Sequence, residues 1–198
     1  MFSSFSKQFI DPEGTLGKIA GKIMFYENRK INEWTLDLLS VQDGDRLLEV
    51  GYGPGYAIEL LSSRFEHLQI DGVDISETMK NEAESHNKEL IANDRLHLFV
   101  DDIADFHTEN QYDKIFTVNN YPLWSDRKKG LQNLFHMLKP GGKIAITVQP
   151  REEDADEQKT KEIGLMIRQD LEECGFSGCA TYYKDVRPEL TVCVTAVK

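Results

Sequence analysis

Three scarcities narrow this sequence before any motif is considered. Cysteine is scarce: Cys174, Cys179 and Cys193 are the only three. An odd number rules out a fully paired disulfide framework, and their spacing is not that of zinc ligands, so no metal is expected. Long apolar runs are missing too. No stretch reaches the length that crosses a bilayer, and the first ten residues hold one lysine and phenylalanines separated by polar residues, without the apolar core of a signal peptide. The expectation is a cytoplasmic protein with no membrane segment. Positive charge is the third shortage: 23 Lys and Arg against 34 Asp and Glu leave a formal net charge of -11. A surface of that sign repels phosphate backbones, so nucleic acid is not the expected partner.

Repeats and low-complexity linkers are also absent, and 198 residues suit one domain, 1–198. What is present is an alternation of short apolar runs with amphipathic stretches, the pattern of an α/β protein. Apolar residues at helical intervals between Leu16 and Leu39 predict two helices or one bent helix, a helical segment (1–40) ahead of an α/β core (45–198). The core then predicts strands over Arg46–Val50, Leu68–Val73, Leu96–Val100, Lys114–Val118 and Lys143–Val148. Helices between them carry Ala57 to Leu61, the stretch from Glu77 to Ile91 behind a Ser76 cap, and Leu131, Leu134, Phe135 and Leu138 behind Ser125 or Asp126. A last helix carries Ile163, Met166, Ile167 and Leu171. Two closing strands, about 177–183 and 190–197, have so short a connection that an antiparallel pair is expected.

The chemistry concentrates where the first strand ends. Leu47, Leu48, Glu49, Val50 run directly into Gly51, Tyr52, Gly53, Pro54, Gly55. Missing side chains there let a ligand approach the backbone, and the following helix start offers N–H groups. Asp74, just beyond the second strand, can accept hydrogen bonds from both hydroxyls of a ribose, or cap the next helix. Nicotinamide dinucleotide enzymes share this pair of features, but their GxGxxG fingerprint fails, because the third glycine would fall on Tyr56.

The segment from Glu49 to Gly55 resembles the first motif of the class I S-adenosylmethionine-dependent methyltransferases, and Asp74 resembles their acidic residue after the second strand. The likeness continues at Val100-Asp101-Asp102-Ile103, at Tyr112-Asp113-Lys114-Ile115 and at Leu138-Lys139-Pro140-Gly141-Gly142-Lys143. It spans about residues 45–148. The resemblance implies a Rossmann-like, doubly wound seven-stranded sheet in the order 3-2-1-4-5-7-6 with strand 7 antiparallel, and S-adenosylmethionine as cofactor across strands 1 and 2.

In that picture Glu49, Gly51, Tyr52, Gly53 and Gly55 surround the methionine portion, Asp74 takes the ribose with Ile75 beside it, and Asp102 and Ile103 serve the adenine. Asp101 competes with Asp102 for the adenine amine. From the N-terminal segment Met24 and Asn28, near Phe25, Tyr26 and Asn32, cover the cofactor. Asn119, where the fourth strand empties into the mouth, contacts cofactor or acceptor, or else satisfies its own turn. Trp124, with Tyr121 and Leu123, forms an acceptor wall or packs. Among five histidines only His107 stands near enough for a catalytic part.

The predicted reaction is in-line transfer of a methyl group to a small-molecule acceptor. A protein or RNA acceptor, or a nucleotide-binding protein without methylation, are the alternatives. Asn119-Asn120-Tyr121-Pro122 lacks the double proline of adenine and glutamine N-methyltransferases, and no cysteine follows a proline as in cytosine C5 enzymes. The acceptor and the oligomeric state leave no trace in the sequence.

Overall fold

A computed structural model describes residues 28–152 and 155–198. Met24, Phe25 and Tyr26, and the first helical set from Leu16 to Ile23, lie outside the described residues. A helix over 28–39 (α1) leads into strand β1, Arg46–Val50, and helix α2, Tyr56–Arg64. Then come β2 (Gln69–Asp74), α3 (Glu77–His86), the short α4 (Lys88–Ala92), β3 (Leu96–Val100) and β4 (Tyr112–Val118). A 3-10 turn at Tyr121–Leu123 precedes α5 (Arg127–Met137), β5 (Leu138–Val148), α6 (Glu157–Glu173), β6 (Ser177–Asp185) and β7 (Leu190–Val197).

The strands form one sheet in the order β3-β2-β1-β4-β5-β7-β6. β1 to β5 pair in parallel, while β7 runs antiparallel to both β5 and β6. This is the doubly wound, Rossmann-like order expected from the sequence. Apolar runs such as Leu47-Leu48 arise because alternate residues of a central strand point to opposite faces, and both faces here are covered. Leu47 joins the core beneath α1, α2 and α3 with Leu36, Leu39, Ile58 and Leu61. Leu48 joins the core beneath α5 and α6 with Ile115, Leu131, Leu134 and Ile167.

Some expected boundaries move. The predicted helix from Glu77 to Ile91 is two helices, broken at Asn87 (φ -118°, ψ 30°). Leu138 belongs to a strand rather than to the helix before it: β5 begins there, five residues earlier than expected, and a register irregularity carries it through Pro140, Gly141 and Gly142. Of the two capping candidates for α5, Asp126 accepts from the Lys129 amide at 3.0 Å. Ser76 caps α3 as predicted, accepting from the Met79 amide at 3.3 Å. Among the described residues no helix is long and apolar enough to cross a membrane.

Candidate functional site

A cleft opens at the carboxyl ends of β1 to β4, where parallel α/β sheets place their ligands. Val50, Gly51, Asp74, Ile75, Asp101, Asp102, Ile103, Asn120, Leu123, Trp124 and Ser125 line it. The loop from Gly51 to Gly55 meets it at Gly51. Gly51 donates its N–H to the Val73 carbonyl at 2.7 Å and has φ +76°. A Cβ on Gly51 would fall 2.2 Å from Cγ of Asn120, so close approach and left-handed backbone both demand glycine there. Gly53, by contrast, faces open space and is constrained only by its φ of +51°.

Asp74 is fixed before any ligand arrives. Its Oδ2 accepts from the Gly53 amide at 2.9 Å and its Oδ1 from the Ser76 amide at 3.0 Å. The carboxylate thus ties the glycine loop to the end of β2, and it does not itself cap α3, because Ser76 does. Ile75 is 74% exposed on the rim, and Ile103 is 4% exposed below it. Asp102 is held by a 2.6 Å bond from the Ser125 hydroxyl and a 2.9 Å bond from the Ala104 amide. These two bonds, and the Lys129 charge after them, lower its pKa. Asp101 is more exposed, and it accepts the Asp102 amide at 2.8 Å.

Glu49, near the end of β1, and Tyr52, in the loop, do not line the cleft. Glu49 is 4% exposed and its Oε2 has no hydrogen-bond partner. Burial, with the Asp74 charge as a second cause, pushes its pKa well above the ordinary glutamate value. An orphaned buried carboxylate beside a glycine cradle fits a ligand that brings a cation. Tyr52 turns inward over Gly72, and its hydroxyl donates to the Phe99 carbonyl at 3.2 Å. Burial there raises its pKa, the Asp74 charge adding to it.

The mouth over β4 and β5 assembles differently. Asn119, just past β4 and beside the cleft rather than among its lining residues, takes the left-handed conformation (φ +55°), and its Oδ1 accepts from the Gln149 amide at 2.7 Å. Trp124 enters the cleft on the side of Ile103: its Nε1 donates to Asn120 Oδ1 at 2.7 Å, and its ring lies edge-on to buried Tyr121 and against Gly130 of α5. Asn28 lies elsewhere, in a groove with Arg29, Asn32, Tyr56 and Glu59, its Oδ1 accepting from Arg151 Nη2 at 2.5 Å. His107 is exposed in another groove, with Gln111, Asn133 and His136, and shares no lining residue with the cleft. None of the five histidines lines the cleft.

Asn120 and Ser125 are the residues that sequence reasoning did not place. Ser125 stood out only as a possible cap, and nothing in the chain marks Asn120, whose contact with Gly51 spans the whole distance between β1 and β4.

The family described as "Methyltransferase domain" matches residues 47–142. The uncharacterized methyltransferase YdaC of Bacillus subtilis is 41% identical over 181 residues, 91% of this chain and 98% of that protein. The chain belongs to the class I S-adenosylmethionine-dependent methyltransferases. It is a methyltransferase, and its cofactor is S-adenosylmethionine. A malonyl-[acyl-carrier protein] O-methyltransferase of Ilyobacter polytropus is 32% identical over 101 residues, but the match spans about half of this chain and 37% of that protein. Among solved structures, a SAM-dependent methyltransferase from Aquifex aeolicus shares the fold, with a TM-score of 0.68 at 22% identity over 89% of this chain and 97% of that one.

Proposed function

We propose that this chain methylates a small molecule through a nucleophile that is already deprotonated at neutral pH, with a carboxylate as the first acceptor class to examine. The observation that carries the reading is the composition of the cleft. Asp74 and Asp102 stand ready as acceptors beside the glycine cradle, while no histidine is at hand to act as a base. In-line displacement at a sulfonium needs no general base when the nucleophile carries no proton. A carboxylate meets that condition, whereas an ammonium does not. The O-methyltransferase relative acts, by its name, on a malonyl group, which ends in a carboxylate, and this supports the same choice.

The assignment of residues follows from their chemistry. Asp74 would take the ribose hydroxyls through the lone pairs that the Gly53 and Ser76 amides leave available. Asp102, Ile103 and Ile75 would enclose the adenine, with Asp101 as the outer carboxylate. Gly51, Gly53 and Gly55 would carry the methionine portion and Glu49 its ammonium. When bound, the cofactor supplies an electrophilic methyl group on sulfur. The chain's own work is to hold the two reactants in line and to exclude water. Asn119 would present its NH2 to an acceptor oxygen, a positioning part that needs no proton transfer.

Release of S-adenosylhomocysteine, measured against a panel of di- and tricarboxylates, malonyl thioesters, amines and tRNA, tests this reading. Turnover with carboxylates, giving a product that alkali hydrolyses to methanol, is the expected result. Turnover with amines or tRNA alone would overturn the acceptor class.

A further inference from the structure

The glycine loop is gripped from a direction that neither the family motif nor the cleft requires. Asn87 stands where the predicted helix breaks, between α3 and α4, and only 4% of it is exposed. An amide buried to that degree is costly without partners. Its Nδ2 donates to the Ala83 carbonyl at 3.0 Å and to the Gly55 carbonyl at 3.3 Å. The same Gly55 oxygen accepts the Glu59 amide at 3.1 Å, so Asn87 fastens the first turn of α2. The fit is close, since a Cβ on Gly55 would lie 2.7 Å from Asn87 Nδ2.

His86, the residue before, holds the loop on either side of Gly55. Its Nδ1 donates to the Pro54 carbonyl at 3.0 Å, and its ring stacks on Tyr56 with centroids 5.3 Å apart and planes 19° from parallel. Pro54, Gly55 and Tyr56 are therefore each held by one of two residues about thirty positions later. At its other end α3 starts from Ser76, whose amide bonds Asp74, which in turn bonds Gly53. Over its ten residues, about 15 Å, α3 is a strut with one foot at the ribose carboxylate and the other at the far end of the loop.

We propose that Asn87, assisted by His86, is a positioning residue for the cofactor: it sets the Pro54–Tyr56 half of the loop in its binding geometry from outside the cleft. The inference rests on the cofactor reading of the cleft. Loss of the Asn87 amide lets the start of α2 and Gly55 relax, so affinity for the cofactor falls even where the fold survives. Asn87→Asp is worse than Asn87→Ala, because it sets a carboxylate against two carbonyl oxygens.

Calorimetric titration with S-adenosylhomocysteine, paired with melting of the ligand-free protein, tests this. Wild type must bind; failure there would remove the cofactor reading itself. With wild type binding, Asn87→Ala is expected to raise Kd about tenfold and Asn87→Asp more. Leu90→Ala, which truncates a buried side chain of α4 without touching the loop, should lower the melting temperature yet leave Kd within twofold. Should Asn87→Ala not fold, His86→Phe decides the matter: it keeps the ring but loses the bond to Pro54, and a rise in Kd of about threefold is expected. Kd within twofold of wild type in a folded Asn87→Ala, or in His86→Phe if that decides, overturns the proposal. So does an equal rise in Kd for Leu90→Ala.

Discussion

The half of the cleft over β1 and β2 is held by bonds to nearby backbone, whereas the half over β4 and β5 is held by side chains reaching across long intervals of sequence. Asp74 binds the amide two residues on and the Gly53 amide of the loop that follows the neighbouring strand β1. Asp102 likewise binds the amide of Ala104, with the Ser125 hydroxyl as its one partner from the other half. The mouth instead depends on Asn119 with Gln149 and on Asn120 lying over Gly51. A surface made from local backbone geometry is shaped in advance for one ligand. One made from distant contacts is free to differ between relatives while the first stays the same.

Substitutions in the first half should therefore strike cofactor binding, and those in the second should spare it. The largest effect is expected from Gly51→Val, which places a branched side chain at φ +76° and inside Asn120. Titration with S-adenosylhomocysteine should show affinity lowered about a hundredfold or more. Pairing it with Asn120→Ala should recover only the part due to overlap.

Next comes Asp74→Ala, expected to weaken binding at least about tenfold through loss of charged hydrogen bonds, with Asp74→Asn between it and wild type. Unchanged affinity in the alanine variant would confine Asp74 to holding the loop. In the mouth, Asn119→Ala should lower kcat about tenfold while leaving the Kd for S-adenosylhomocysteine within twofold, measured with the acceptor that the panel identifies. A matched loss of affinity would erase the contrast between the two halves.

Glu49 yields a pH effect whose sign is fixed by its raised pKa. Between the ordinary glutamate value and that raised value the buried carboxyl carries a proton in the ligand-free protein. Its contribution to stability is full below the unfolded value and is lost as pH rises through the folded one. A bound ammonium favours the carboxylate, so binding in this window should release a proton. Calorimetry at a pH just above the ordinary glutamate value, in two buffers of different ionisation enthalpy, measures it. Glu49→Gln should abolish the release and weaken binding a few-fold. The smallest effect is expected from His107→Ala, within about twofold in rate and affinity, since the residue lies in a groove apart from the cleft.

The same contrast explains what was legible from sequence. The glycines from Gly51 to Gly55, Asp74 and the seven strands are visible in the chain because each follows from local period, turn chemistry and strand ends. Asn120 and Ser125 are not, since their contacts are with Gly51 and Asp102 across the sheet. Asn28, expected at the cofactor, lines a groove against α2 and accepts from Arg151, a contact between distant parts of the sequence. The break at Asn87 had one faint sign, an asparagine within a helical period. Its meaning depends on where Gly55 lies.

Trp124 gives the protein an optical consequence. The chain has two tryptophans, and Trp34 sits on α1 with Lys184 Nζ 5.7 Å from its ring centroid, outside the cleft. Trp124 lines the cleft and commits its indole N–H to Asn120. With the adenine bound beside Ile103, as proposed, the surroundings of one emitter would change and those of the other would not. Trp34→Phe leaves a chain whose remaining fluorescence comes from the tryptophan in the cleft, so occupancy is followed by emission, without a label and without turnover.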